Sequence, residues 1–304
     1  MAAVASIEQK SQQETDPLPQ RVLGKTGESV AMLGFGTGPT GYGMKDENAI
    51  SLIHRAIDLG VTAMDTAPGY DRAQVQLGEV MKERRREVFL ITKTPTDDYQ
   101  TALDKLEKNL NDLQTDYVDV TYVHCLGAYD PERVLSQNGS LAGLREAQRR
   151  GWTRFVGFTA HNQPQKSAKV LREADIDVVM LAMNFADRHT YNFEEEVLPL
   201  AAERQVGVVA MKVFGGAHNM NYKKQTPSAL DAAGDHDHQL AFRYALGLPG
   251  VTMAVIGMYT EEELEKNIEW VRSLEPLSIQ EERRLAQRGK ELAGEWGPHY
   301  GPVQ

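Results

Sequence analysis

Four side chains able to move protons close three successive apolar runs of this chain. Val61 to Met64 ends on Asp65, and a turn through Pro68 and Gly69 brings Tyr70 five positions after the carboxylate. Val88 to Thr92 ends on Lys93, and Val118 to Val123 ends on His124. An acid, a phenol, an amine and an imidazole at the ends of buried strands suit proton exchange with an oxygen held at one rim of a barrel. Each has a plain structural alternative. Asp65-Thr66 reads as a strand-end cap, Lys93 as a buried ion-pair partner, Tyr70 as a loop aromatic and His124 as a satisfied core histidine. Their joint placement is what points to chemistry.

The elements that must position them follow a regular rhythm. Residues 21–27 read as a small hairpin with glycines at its turn, and Val30 to Phe35 as a strand leaving through Gly36-Thr37-Gly38. Asp46 is placed to cap a helix whose apolar face is Ile50, Ile53 and Ile57, stopped at Gly60. Helices are expected around Val75 to Met81, along Leu103, Leu106, Leu110 and Leu113, and near Leu141 to Arg150. Phe155 to Phe158, Val178 to Phe185, Val206 to Val213 and Met253 to Gly257 read as further strands. Helices follow from Pro164, at Val197 to Ala201, at His238 to Leu246 and at Leu264 to Val271, and a loop from Phe214 to about Asp235 interrupts the rhythm. Val/Ile/Leu-rich strands without clean alternation are the mark of buried parallel strands. The expectation is an α/β fold, a (β/α)8 TIM barrel with a short N-terminal hairpin. A doubly wound open sheet is the second choice, disfavoured because no Gly-x-Gly-x-x-Gly follows a strand. The domain reading is a flexible leader over 1–20 and a single barrel domain over 21–304 with a C-terminal extension.

Bulk properties narrow the function. The chain has 304 residues, a formal net charge of -10, 41% hydrophobic and 25% charged residues. The acidic balance disfavours a nonspecific grip on nucleic acid or an anionic membrane. The compact basic run Arg84-Arg85-Arg86 is flanked by Glu83 and Glu87 and reads as a solvated helix end. Cys125 is the sole cysteine, so no internal disulfide is possible. If His124 and Cys125 share a strand, they point to opposite faces, which argues for a buried, inert thiol rather than a Cys-His nucleophile pair. The leader lacks an apolar signal core and no run spans a bilayer, so a cytoplasmic protein is expected. Asp235-His236-Asp237-His238 is metal-like in composition, but it reads better as an acidic start to a helix, and no metal is assigned. The aromatic stretch Trp296 to Tyr300 reads as a cover over the barrel mouth or as a surface strap.

The motifs resemble those of the aldo-keto reductases. Met64-Asp65-Thr66-Ala67 with Tyr70, Ile91-Thr92-Lys93, Tyr122-Val123-His124 and Val156-Gly157-Phe158-Thr159 occur in the family's order, and Ile256-Gly257-Met258 runs into Leu264-Glu265-Lys266-Asn267. The resemblance implies hydride transfer between a nicotinamide cofactor, NADPH or NADH, and a small aldehyde, ketone or sugar carbonyl. Tyr70 would be the general acid/base. A free phenol titrates near ~10, and lowering it to about 7 or 8 needs roughly 3 to 4 kcal/mol. One ammonium about 4 Å away in a partly dry site supplies about 4 kcal/mol. Lys93, aimed by Asp65, is therefore expected to acidify the phenol, while His124 orients the substrate oxygen.

The resemblance also implies a cofactor path. Thr37, Thr159 and Asn184 would lie near the nicotinamide, with Phe214 to Ala217, including Gly215, across the pyrophosphate. Gly257 to Asn267 would surround the adenosine. The chain departs from the family at three places. Met180 stands where many members have a glutamine, and Met211, followed by Lys212, where they stack an aromatic ring. The segment Gly257 to Glu263 carries three glutamates and no cation. Carboxylates there repel a 2′-phosphate, whereas Glu263 can accept from a ribose hydroxyl, so NADH is expected to compete with NADPH. Lys212, Lys223 and Lys224 are the cations able to favour NADPH from across the site.

Other activities remain open on the same residues. These are an NAD-dependent sugar or alcohol dehydrogenase, a cofactor-binding regulatory subunit with little turnover, and an aldolase using Lys93 as a Schiff base. Tyr70 so close after Asp65 is not expected for the aldolase. Substrate identity and oligomeric state have no readable motif.

Overall fold

The computed structural model describes residues 17–220, 222 and 226–304. A two-stranded antiparallel hairpin, β1 (Gln20–Val22) and β2 (Ser29–Ala31), precedes eight parallel strands. These are β3 (Leu33–Gly36), β4 (Ala63–Asp65), β5 (Phe89–Thr94), β6 (Val118–Val123), β7 (Thr153–Ala160), β8 (Val178–Ala182), β9 (Gly207–Met211) and β10 (Val251–Gly257). They hydrogen-bond in chain order, and β10 returns to β3, closing the barrel. Residues facing the lumen, among them Ile91, Val120, Tyr122, Met180, Val209 and Met253, form an inner cluster. A larger apolar layer joins the outer faces of the strands to the surrounding helices. The expected barrel and hairpin are both present.

Several boundaries differ, each for a local reason. The expected strand Val30 to Phe35 is two strands: Ser29–Ala31 pairs with β1, and the chain enters the barrel only at Leu33. The strand expected to reach Phe185 stops at Ala182, because Asn184 turns the chain by accepting the amides of Ala186 and Asp187. The strand expected to reach Val213 stops at Met211, because Lys212 takes a left-handed backbone with φ 59. Asp46 is not a cap. Lys45 holds the N-cap position of the helix Asp46–Asp58, and the Asp46 carboxylate takes Arg72 and Gln76 instead.

The sequence reading missed an 18-residue helix, Ile279–Trp296, whose Ser278 and Glu281 cap it reciprocally. It also missed the short helices Gly38–Gly43 and Pro131–Leu135. Of the expected leader, residues 1–16 lie outside the described residues. Leu18 is buried beside Gly60, and Gln20 already opens β1. No described helix is long and apolar enough to cross a membrane.

Candidate active site

The four catalytic candidates Asp65, Tyr70, Lys93 and His124 gather at the C-terminal rim, where the strands end. Asp65 closes β4, and Lys93 lies one residue from the end of β5. Lys93 Nζ stands 2.6 Å from both carboxylate oxygens of Asp65 and 2.9 Å from the Thr66 carbonyl. Its three donors are thus all engaged. Both groups are at most 4% exposed. Burial pushes the Asp65 carboxyl up and the Lys93 ammonium down, and their mutual attraction opposes both shifts.

A buried polar set on the outer side of β5 fixes this lysine. Asn109 Nδ2 donates to the Lys93 carbonyl at 2.9 Å, and Thr92 Oγ1 donates to Gln74 Oε1 at 2.8 Å. Gln74 Nε2 donates to Asn109 Oδ1 at 3.2 Å, closing the set. Two helices, Ala73–Arg84 and Tyr99–Asp112, therefore clamp the strand end that carries Lys93.

Tyr70 follows in a tight turn, with its amide on the Ala67 carbonyl. Gly41 lets the helix Gly38–Gly43 lie on this turn, since a Cβ there would stand 1.9 Å from the Tyr70 carbonyl oxygen. The Lys93 ammonium lies 4.9 Å from the centroid of the Tyr70 ring, over its face. The expected acidification of the phenol by Lys93 is not met. Burial, with the Asp65 charge second, pushes the phenol well above its ordinary value. The lysine's protons go to Asp65 and Thr66, so none is left for the phenol oxygen.

His124 packs its ring edge against Tyr70, with centroids 6.2 Å apart. Burial and the Lys93 and Lys212 charges bring it down to about 3. The imidazole is therefore neutral throughout the range from about pH 5 to 8 in which a free histidine titrates. The expected pH profile of kcat/KM for a carbonyl substrate has no histidine step in that range. A step near about 6.5 that disappears in His124→Gln would contradict the geometry.

Cys125 corrects the strand argument. β6 ends at Val123, and Cys125 has φ 58, so alternation no longer applies at His124-Cys125. The thiol is half-buried and lies 3.6 Å from His161 Nδ1. Burial raises its pKa, which keeps it a thiol. His161 is a site residue the sequence reading missed. It follows β7, as His124 follows β6, and that parallel was the available signal. The ring of Tyr300 lies 5.9 Å from that of His161 and 5.7 Å from that of Tyr191. The aromatic tail thus lies on the barrel mouth, with the Tyr300 hydroxyl buried close to Asp187.

The cofactor candidates occupy the remaining rim. Thr37 Oγ1 donates to the Asp65 carbonyl at 2.9 Å, and Thr159 Oγ1 accepts from the Cys125 amide at 2.8 Å. Asn184 is saturated by Asp187, the Lys212 carbonyl and two amides, which makes it a joint between loops. Met180 and Met211 both line the lumen cluster. Lys212 donates to the Tyr222 hydroxyl, and its charge bears on Asp65, Lys93, His124, Cys125 and His161.

After Phe214, Gly215 and Gly216 take φ 77 and 74, a bend suited to close approach of a polyphosphate. A Cβ on Gly257 would stand 2.5 Å from the Pro39 ring. Glu263 accepts the Tyr259 amide at 2.6 Å, and the buried Asn267 Oδ1 has no partner. An orphaned amide oxygen able to accept, a glycine bend and an ammonium able to donate are groups that suit a dinucleotide. Lys223 and Lys224 lie outside the described residues.

The Asp235 to His238 stretch is taken up by ion pairs. Asp235 Oδ2 meets Arg288 at 2.9 Å, Asp237 meets Arg284, and His238 Nε2 lies 3.1 Å from Asp231. The helix His238–Gly247 starts at Asp237, whose side chain makes no cap hydrogen bond, so the acidic-cap expectation fails in that detail.

Comparison with known proteins agrees with this geometry. The sequence profile of the Aldo/keto reductase family matches residues 32–288. L-galactose dehydrogenase of Arabidopsis thaliana is 24% identical over 294 residues, which cover 86% of this chain and 91% of that protein. Pyridoxal 4-dehydrogenase of Microbacterium luteolum is 24% identical over 318 residues, covering 83% and 92%. Among solved structures, the holo form of an aldo-keto reductase from Bacillus halodurans superposes with a TM-score of 0.72 at 23% identity, over 90% of this chain and 96% of that one. An aldo/keto reductase from Klebsiella pneumoniae in complex with NADP and acetate gives a TM-score of 0.68 at 21% identity, covering 88% and 95%. The chain is an NAD(P)-dependent oxidoreductase acting on carbonyl or CH-OH carbons, and it belongs to the aldo/keto reductase family.

Proposed function

We propose that this protein reduces small aldehydes, ketones or sugar carbonyls with a nicotinamide cofactor, using Tyr70 as the proton donor. The observation that carries the reading is the buried Asp65–Lys93 pair directly under the Tyr70 ring at the barrel rim. When bound, the nicotinamide supplies the hydride. Gly215, Gly216, Lys212, Gly257 and Asn267 would hold the dinucleotide, and Thr37 and Thr159 would border its reactive end. The neutral His124 ring donates a hydrogen bond to the carbonyl oxygen and orients it toward Tyr70. As that oxygen becomes an alkoxide, Tyr70 gives up its phenolic proton. The Lys93 ammonium, 4.9 Å from the ring centroid, offsets part of the cost of the phenolate charge without outweighing burial.

We read the direction near neutrality as reduction. Carbonyl reduction consumes a proton, which a protonated Tyr70 supplies, and oxidation of an alcohol releases one. Reduction is therefore the favoured direction near neutrality, and oxidation gains as pH rises. The dehydrogenases among the relatives support the oxidative reading as second choice. Forward and reverse rates measured across pH separate the two: oxidation outrunning reduction at neutral pH with equal cofactor saturation would overturn our preference.

NADH is expected to bind within tenfold of NADPH. Glu261, Glu262 and Glu263 open the helix after β10, and their charges disfavour a 2′-phosphate. Lys212 is the described cation that acts in the other direction. Titrating the protein with each reduced cofactor tests this, and NADPH binding more than about tenfold tighter, a difference of about 1.4 kcal/mol, would refute it.

A further inference from the structure

A chain of hydrogen bonds joins the C-terminal tail to the backbone of Lys212. His299 Nε2 stands 2.9 Å from Asp187 Oδ1. The other oxygen of that carboxylate accepts Asn184 Nδ2 at 2.6 Å, and the same nitrogen donates to the Lys212 carbonyl at 3.0 Å. Asn184 Oδ1 takes the amides of Ala186 and Asp187 at 3.0 and 2.8 Å. Asp187 and Asn184 are 2% and 1% exposed, so these bonds have no ready replacement from water.

Lys212 needs such support. Its φ of 59 is a left-handed conformation, which is strained for a non-glycine residue and persists only where neighbours enforce it. Its ammonium donates to the Tyr222 hydroxyl. The tail itself is firmly seated. Tyr300 donates its amide to Tyr191 Oη and accepts from Asn162 Nδ2, both at 2.8 Å, and a Cβ on Gly215 would stand 2.6 Å from the Trp296 ring.

We propose that the tail is a positioning element for the cofactor site: His299, acting through Asp187 and Asn184, sets the backbone of Lys212 and so the place of its ammonium. The inference rests on reading Lys212 as a cation facing the anionic dinucleotide. Without His299, Asp187 Oδ1 loses its imidazole partner and keeps only the neutral Tyr300 hydroxyl nearby, so the buried carboxylate then competes for both amide protons of Asn184. The bond to the Lys212 carbonyl is the one given up. His299 is a positioning residue in this account, since it acts through Asp187 and Asn184.

The test measures dissociation constants of NADPH and NADH by nicotinamide fluorescence in five proteins: wild type, His299→Ala, His299→Gln, Lys212→Met and the double variant His299→Ala/Lys212→Met. Lys212→Met and His299→Ala are each expected to weaken binding about tenfold. His299→Gln, which keeps a donor for Asp187, is expected to stay near wild type. The double variant should bind no worse than Lys212→Met, because both changes act on one ammonium. Additive losses, or wild-type affinity in His299→Ala beside a weakened Lys212→Met, overturn the inference and leave the reading of Lys212 standing. Unchanged affinity in Lys212→Met overturns that reading and the inference with it.

Discussion

Replacing Tyr70 with phenylalanine is expected to lower kcat for carbonyl reduction by about 10² to 10⁴-fold, the usual share of a positioned general acid. Cofactor affinity should be nearly unchanged. The substitution removes one oxygen and keeps the ring that lies over the Lys93 ammonium and against the His124 edge. The Asp65–Lys93 pair needs nothing from that oxygen, since Asp65 and Thr66 already occupy the lysine. Folding should therefore survive, and the loss should fall on the chemical step. Steady-state kinetics of Tyr70→Phe beside cofactor titration decide it, and full activity in the variant would remove Tyr70 from the mechanism.

Lys93→Met is expected to damage both activity and stability. It leaves Asp65 as an unpaired carboxylate at 4% exposure, and breaking a buried pair in this way costs about 3–5 kcal/mol. The loss of the ammonium beneath the phenol should lower kcat by about 10² to 10³-fold. The pH dependence has a definite sign. Burial already raises the Asp65 carboxyl, and Lys93 is the main force pulling it down, so the variant raises it further. A carboxyl whose folded pKa lies above its unfolded value of about 3.9 favours the fold when protonated, and that benefit is lost as pH rises through the folded pKa. The stability deficit of Lys93→Met against wild type should therefore be largest at neutral and alkaline pH and shrink toward acid. Urea unfolding at two pH values measures this, and an equal deficit at both would contradict it.

What the sequence made legible was set by the range of each signal. The barrel follows from apolar strands at regular spacing, and the catalytic candidates are visible as Asp65, Lys93 and His124 at strand ends with Tyr70 in the turn after the first. Boundaries failed where a single backbone angle decided them. The left-handed turn at Lys212 ends β9 early, and the one at Cys125 breaks the alternation expected of His124-Cys125, and neither residue type announces such a conformation. The acidification of Tyr70 was argued from charge and distance alone. The structure shows Lys93 already engaged by Asp65 and Thr66, a competition that only coordinates reveal. His161, Tyr300 and the Asp187–His299 contact depend on loops far apart in the chain, so spacing could not bring them together. The helix Ile279–Trp296 was different, because its Ser278 and Glu281 capping box was readable and was passed over.

The most direct measurement is the consumption of bound reduced cofactor by the wild-type protein, followed at the nicotinamide absorbance with a panel of aldehydes, ketones and sugars. The account predicts that at least one carbonyl oxidises NADPH or NADH, with one alcohol formed for each cofactor spent. Tight cofactor binding with no turnover on any member of the panel would contradict it, and would leave a protein that holds the nucleotide without performing the reaction.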